Sequence, residues 1–294
     1  MIRIIHSAPE MHDWSIARSA EGKSIALVPT MGALHEGHLQ LVSRAQESAD
    51  CVVVSIFVNP TQFGPSEDFD AYPRTLKEDS TKLERQGMTS VIFAPTLPEI
   101  YPNPRNLTWV TVDRMGDHLC GESRPGHFRG VTTVVSRLFT IVEPTYGVFG
   151  LKDAQQFFIL RRMARELAQR VSLIGVETVR ESDGLARSSR NRYLNAAQRK
   201  QAPVLRRALL DSRDGVVNRG IRDCQILIDE ISSKLNDSPE CQTDYVQIVD
   251  TEELQPVETI EDGQQVLIAA AAFFGTARLI DNVIVRAGSA NKEA

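Results

Sequence analysis

The stretch Leu27-Val-Pro-Thr-Met-Gly-Ala-Leu-His-Glu-Gly-His38 joins two periodicities. Ahead of it Ile25, Leu27 and Val28 read as a short buried strand; after it Leu39, Leu41, Val42 and Ala45 recur at helical spacing. The stretch is therefore a strand-to-helix turn. Pro29 ends the strand, Gly32 frees the backbone to turn sharply, and Gly37 leaves no side chain where the first helical turn must approach a bulky ligand. A helix beginning near Leu34 would aim unpaired backbone N–H groups and its positive dipole end at an anion-sized gap, which suits a phosphate. His35 and His38 fall on one side of that first turn, where each imidazole can donate to a developing negative oxygen. Two plainer readings stand beside this one: His35 as a simple helix cap, and the pair as half a zinc site. The zinc reading needs further ligands, and His6, His12, His118 and His127 form no compact set with cysteine.

Working outward, Cys51-Val-Val-Val-Ser-Ile-Phe-Val58 is β-branched and nearly all apolar, as expected of a strand covered on both faces. Strand, helix and strand make a βαβ unit, hence a parallel sheet with its ligand at the carboxyl ends of the strands. That rule points to Asn59-Pro-Thr-Gln-Phe-Gly64. Asn59 and Gln62 carry neutral amides able to hold a carboxylate or hydroxyl; a plain turn is the alternative. Ser66 to Arg74 reads as polar loop and Thr75 onward as a helix, where Glu78 and Asp79 either touch magnesium or lie on a solvated face. Val91 to Ala94 is a further strand, Trp109 to Val112 an edge strand, and Gly121 to Gly130 a glycine-rich loop leading into a helix.

Tyr146 to Phe149 is a strand that leads into Gly150-Leu-Lys-Asp-Ala-Gln-Gln156 and an amphipathic helix. Lys152 thus repeats the opening geometry, a cation at the carboxyl end of a parallel strand where it could reach phosphate oxygens; a solvated lysine is the alternative. Val176, Thr178 and Val179 form another strand, followed by Arg180-Glu-Ser-Asp-Gly-Leu-Ala-Arg-Ser-Ser-Arg-Asn-Arg192. Its hydroxyls and guanidinium groups can bind triphosphate oxygens. From about residue 195 the order changes. Helices over Ala196 to Arg213 and Ile221 to Leu235 precede strands at Tyr245 to Val249, Val266 to Ala269 and Leu279 to Val285. The expected architecture is α/β: a Rossmann-like, doubly wound parallel sheet over residues 1–177, then a smaller α+β domain over 178–294. Trp14 and Ile16 are expected packing residues near the start, and Gly288 to Ala294 a frayed end.

The whole-chain balance is that of an ordinary soluble globular protein rather than a disordered one. The chain has 294 residues, 42% hydrophobic and 24% charged, and a formal net charge of −5, which argues against broad nucleic-acid binding. Cys51, Cys120, Cys224 and Cys241 show no CxxC spacing, so neither a disulfide framework nor a structural zinc is indicated. No secretory leader is read at Met1-Ile-Arg-Ile-Ile-His-Ser, and Val266 to Phe274 is too short to cross a bilayer. A cytoplasmic protein with no membrane anchor is expected.

Taken together, Pro29 to His38, Phe57 to Gly64, Arg124-Pro-Gly-His-Phe-Arg-Gly130, Phe149 to Gln156 and Asp183-Gly-Leu-Ala-Arg-Ser-Ser-Arg-Asn-Arg-Tyr193 resemble the pantothenate synthetase family, the ATP-dependent pantoate–β-alanine ligases. The similarity runs over almost the whole chain. These are adenylate-forming nucleotidyltransferases, whose His-x-Gly-His and Lys-Met-Ser-Lys-Ser-like elements flank ATP; His35 to His38 match the first here and Arg187 to Arg190 the second. The resemblance implies the last step of pantothenate (vitamin B5) biosynthesis on the way to coenzyme A, by way of a pantoyl adenylate. It implies ATP contacts at Met31, Gly32, Ala33, Leu34, His35, Glu36, Gly37 and His38, at Gly150, Leu151, Lys152 and Asp153, at Val179, and at Arg187, Ser188, Ser189 and Arg190. Catalysis would fall to His35, His38, Lys152, Ser188, Ser189 and Arg190. Gln62 and Gln156 would hold pantoate, and Gln62 would also face β-alanine. Magnesium on the ATP phosphates, a homodimer, and a C-terminal domain covering the ATP site belong to the same expectation. Two positions depart from the family: Arg187 stands where methionine is usual and Leu151 where glutamate is usual, which bears on nucleotide affinity. The alternatives are a nucleotidyltransferase acting on phosphopantetheine, and a nucleotide-sensing or RNA-binding protein that has lost turnover.

Overall fold

The computed structural model describes residues 2–65, 67, 69–87 and 89–288. Parts of two expectations, at Ser66 and Asp68 in the polar loop and beyond Gly288 at the chain end, lie outside the described residues. In chain order the elements are β1 (Arg3–Ile5), α1 (Ala8–Ala20), β2 (Ile25–Thr30), α2 (Glu36–Ser48), β3 (Cys51–Ile56), α3 (Leu76–Gln86), β4 (Val91–Phe93) and α4 (Leu97–Ile100). Next come α5 (Cys120–Ser123), α6 (His127–Val142), β5 (Tyr146–Gly150), α7 (Ala154–Glu166) and β6 (Ser172–Val176). The chain ends with α8 (Ala196–Gln201), α9 (Val204–Val217), α10 (Cys224–Asn236), β7 (Cys241–Asp250), β8 (Gln265–Phe274) and β9 (Ala277–Arg286).

The chain divides into two compact units. The first comprises Met1–Asp113, Arg124–Leu151 and Ile159–Glu177; the second comprises Arg114–Ser123, Lys152–Phe158 and Thr178–Ala294. In the first, the described residues form a six-stranded sheet in the order β1-β4-β3-β2-β5-β6, with every pairing parallel. The doubly wound parallel sheet is therefore present. β3 is buried residue after residue, because its β-branched side chains meet covering layers on both faces. From β2 the chain builds outward through β3 and β4 on one side and through β5 and β6 on the other. The order thus reverses between β2 and β5, and an α/β sheet binds its ligand in the crevice at such a reversal, at the carboxyl ends of the strands.

The second unit packs α9 and α10 on one face of the antiparallel sheet β7-β8-β9. Val266, Ile268, Ala270, Ala272 and Phe274 of β8 alternate into a core shared with Leu209, Leu227 and Ile231. Segments 114–123 and 152–158 join this unit although both precede residue 178. Gln155 Nε2 donates to the carbonyls of Met115 and His118 at 3.1 and 2.8 Å, and Leu119 N donates to Gln247 Oε1 at 2.8 Å.

Several local expectations are corrected. Pro29 does not end β2 but lies inside it, opposite Ser55 of β3. Trp109 to Val112 forms no strand: the Thr133 hydroxyl accepts from Val110 N, and the Thr132 hydroxyl donates to Val110 O. The strand read at 176–179 ends at Val176. Ile16 is 49% exposed, and α1 buries Met11 and Ser15 instead. The helix read over Ala196 to Arg213 is two helices, because Pro203 has no N–H to continue α8 and caps α9. Most of the glycine-rich loop, Gly121 to Gly130, is helical, in α5 and α6.

Candidate active site

The turn after β2 is built by two consecutive left-handed residues, Gly32 at φ 84° and Ala33 at φ 51°. The helix then begins at Glu36 rather than near Leu34, with His35 as its N-cap. Nδ1 of His35 accepts the N–H of Gly37 at 3.1 Å, and Nδ1 of His38 accepts the N–H of His35 at 3.3 Å. Backbone N–H groups only donate, so each neutral ring carries its proton on Nε2 and presents an N–H there. The two ring centroids lie 4.1 Å apart.

This geometry corrects the expectation of an unpaired N–H cradle. Ala33 N and Leu34 N donate to the Asp79 carboxylate at 2.9 and 2.8 Å, Gly32 N to Thr30 Oγ1 at 3.2 Å, and His38 N to His35 O at 2.8 Å. Most of the turn's donors are already satisfied by the protein. Gly37 is required for a different reason than expected: a Cβ there would lie 2.9 Å from His35 Cε1, so the space is kept for the histidine ring itself. Glu78 is exposed, whereas Asp79 is fully buried and bound to backbone, and among the described residues no three His, Cys, Asp or Glu side chains gather to hold an ion. A solvated-face reading misses Asp79, whose carboxylate is buried against the turn. Residues 79, 82, 83 and 86 share one helical face, and Leu83 in that row was the available signal.

Beyond β3, a 3-10 turn at Pro60–Gln62 carries Gln62. Asn59, 1% exposed, organises it: Oδ1 accepts from Thr61 N at 3.3 Å and from Tyr101 Oη at 2.8 Å. Its Nδ2 must then be the donor, reaching Gln62 Oε1 at 3.0 Å and Gly130 O at 3.2 Å. Gln62 is thereby oriented so that its NH2 group donates to Met31 Sδ at 3.2 Å. Burial raises the Tyr101 phenol above its ordinary pKa, which keeps it a neutral donor. His127 Nδ1 donates to Gln62 O at 2.8 Å, and Arg124 Nη1 donates to His127 Nε2 at 3.1 Å. Arg124 also makes a two-pronged pair with Glu67, 2.7 Å at each prong, and this bonding lowers the Glu67 pKa.

In the second unit Lys152 sits in a 3-10 turn, Leu151–Asp153, and its carbonyl accepts from Asn282 Nδ2 at 3.0 Å. Lys152 lines one cleft together with Ala186, Ser188, Arg278 and Ile280. Residues 180–187 form a tight hairpin, with a bridge between Arg180 and Ala186 and with Arg187 N donating to Val179 O at 2.9 Å. Arg180 clamps the hairpin to Asp281 of β9 through bonds of 2.7 and 3.0 Å. Beyond it Ser188 caps a 3-10 turn by accepting from Arg190 N at 3.2 Å, and Ser189 and Arg190 are exposed. Arg187 Nε faces Glu181 at 3.6 Å, which spends part of the extra charge inside the hairpin. Leu151 belongs to the first unit and packs on Gly175, where a Cβ would come within 2.7 Å of it. Gln156 lies half-buried in the first turn of α7.

A family profile, pantoate-β-alanine ligase, matches residues 3–284. The chain belongs to the pantoate-β-alanine ligase family. Its relatives include the pantothenate synthetase of Heliobacterium modesticaldum, 51% identical over 284 residues, covering 97% of this chain and 99% of that one. That of Salinibacter ruber is 46% identical over 291 residues, with 97% and 98% covered. Among solved structures, pantothenate synthetase from Thermus thermophilus superposes with a TM-score of 0.85 at 43% identity, covering 96% of this chain and 99% of that chain. The pantoate-β-alanine ligase of Francisella tularensis, solved with β-γ ATP and β-alanine, gives a TM-score of 0.75 at 30% identity, covering 97% and 98%. Membership in this ligase family disfavours both the phosphopantetheine enzyme and the non-catalytic alternative.

Proposed function

We propose that this ligase condenses pantoate with β-alanine at the expense of ATP, through a pantoyl adenylate, releasing AMP and pyrophosphate and completing pantothenate synthesis. The observation that carries the reading is the family match over residues 3–284, which spans both units. The pantoate carboxylate is ionised at neutral pH and attacks the α-phosphorus of ATP without a general base. Negative charge grows on the α-phosphate and the departing pyrophosphate. His35 and His38, donating through Nε2, and the donors Lys152, Ser188, Ser189 and Arg190 are assigned to stabilise that charge. Gln62 is assigned to hold pantoate through its NH2 and to face β-alanine, and Gln156 is the second amide for pantoate. In the second step the free amine of β-alanine attacks the mixed-anhydride carbonyl, AMP leaves, and the amine proton passes to water or to the departing phosphate oxygen. No acyl group is attached to the enzyme.

ATP contacts are assigned to Met31 to His38, Gly150 to Asp153, Val179 and Arg187 to Arg190. Magnesium enters with ATP as part of the substrate: among the described residues no three His, Cys, Asp or Glu side chains gather to hold an ion. The same reading places the enzyme in the cytoplasm as a homodimer. Its four cysteines are free thiols, the state a reducing compartment maintains, and no described helix is long and apolar enough to cross a membrane.

The test is formation of AMP, pyrophosphate and pantothenate from the three substrates. His38→Ala and Lys152→Ala should each slow adenylate formation on the order of a hundredfold, about 3 kcal/mol of barrier. Absence of pantoyl adenylate from the wild-type enzyme overturns the reading.

A further inference from the structure

We propose that Asp79 is a positioning residue for adenylate formation, its buried carboxylate holding the left-handed Gly32–Ala33 turn that aims His35 and His38. The proposal rests on the ATP-dependent reading above. Asp79 is wholly buried, on the face of α3 that also carries Lys82, Leu83 and Gln86. One carboxylate oxygen accepts from Leu34 N at 2.8 Å; the other accepts from Ala33 N at 2.9 Å and from the Thr75 hydroxyl at 3.0 Å. Two neighbouring N–H groups converge on one acceptor only because the residues before them take left-handed backbone, which alanine adopts reluctantly. A group with two acceptor oxygens and a full charge is suited to hold that conformation, and an amide of the same shape is not.

The rest of the face completes the clamp. Lys82 Nζ donates to Leu34 O at 2.6 Å and lies 3.9 Å from Asp79 Oδ1; Gln86 Nε2 donates to Leu39 O at 2.7 Å and to Ser43 Oγ at 3.0 Å. The backbone is thus gripped just before His35 and just after His38, with Asp79 bearing the half that is intrinsically strained. Gly32 fits the same arrangement, because a Cβ at that position would approach Asp79 Oδ2 to 3.2 Å. The effect of the carboxylate on the two histidines is carried through the backbone conformation of the turn.

Rapid-quench single turnover with ATP, pantoate and β-alanine separates adenylate formation from amide formation, and that separation tests the proposal. Asp79→Asn keeps the volume but leaves one of the two N–H groups without an acceptor. It should slow adenylate formation about a hundredfold, the scale of a displacement of about an ångström at reacting groups, with KM for ATP changed less than threefold and amide formation nearly untouched. Thr75→Val should give a smaller loss in the same step that Thr75→Ser restores, and this pair carries the test should Asp79→Asn fail to fold. Equal losses in both steps, or an adenylate burst at the wild-type rate, overturn the positioning role. So does recovery of both Asp79→Asn and Glu78→Gln on raising magnesium chloride, which would make the carboxylates metal ligands. Absence of a burst in the wild-type enzyme instead overturns the ATP-dependent reading, and the proposal with it.

Discussion

Gly37 shows how one residue type can be legible in the sequence while its reason is not. Glycine beside two histidines reads as room for a ligand, yet the ring of His35, folded back to cap its own helix, occupies the space a Cβ would need. Gly37→Ala therefore sets two effects against each other. Alanine favours the helix interior by up to about 1 kcal/mol over glycine, while the ring must move from its cap. The expected outcome is a melting temperature close to that of the wild type with adenylate formation slowed at least about tenfold, read by thermal unfolding and rapid quench on the same preparation. An unchanged rate would mean that the cap does not set the catalytic orientation of His35. Pattern alone could not reveal this, because a cap is a bond between a side chain and its own backbone and leaves no mark in hydrophobic periodicity.

Elements announced by burial were the readable part of this fold. β2 and β3 declared themselves through β-branched apolar runs, and the strand-glycine-helix transition at residues 27–38 located the switch point of the sheet. What stayed hidden depends on partners distant in sequence: the Asn59 hub needs Tyr101, and the 180–187 hairpin needs Asp281, which lies 101 residues from Arg180. Asp281 did leave a trace as a carboxylate in the buried row Leu279, Asp281, Val283 and Val285 of β9. Its side chain is 3% exposed against 20% for Arg180, so removing the arginine strands a buried charge. Arg180→Ala should cost about 3 kcal/mol in urea unfolding and weaken ATP binding through the loosened Ser188–Arg190 segment. Replacing both partners with apolar residues, Arg180→Met with Asp281→Leu, should recover most of the stability but not the nucleotide affinity. Recovery of both would show that the clamp serves the fold alone.

For the molecule as a whole, acid is the informative perturbation, since among the described residues five carboxylates are held below their ordinary values for the same kind of reason. Hydrogen bonds from Arg124 lower Glu67, from Ser24 Asp50, from Arg199 Asp183, from Lys23 Glu21 and from Arg219 Glu230. A carboxylate depressed in the folded state adds stability above its unfolded pKa and loses it as pH falls through the folded value. The contribution of these carboxylates should then hold level between about pH 7 and pH 5 and decline below the ordinary glutamate value of 4.5. Most of these groups face water and contribute little each. Glu67 is the exception worth isolating, because its side chain is only 25% exposed and its pair with Arg124 is two-pronged. Glu67→Gln should be less stable than the wild type by about 1 kcal/mol near neutral pH. Protonating the wild-type carboxylate makes the two proteins electrostatically alike, so the gap should close toward about pH 3 in urea titrations across that range. A gap that widened in acid would mean that Glu67 is stabilised as the neutral acid, the reverse of what its bonds to Arg124 require.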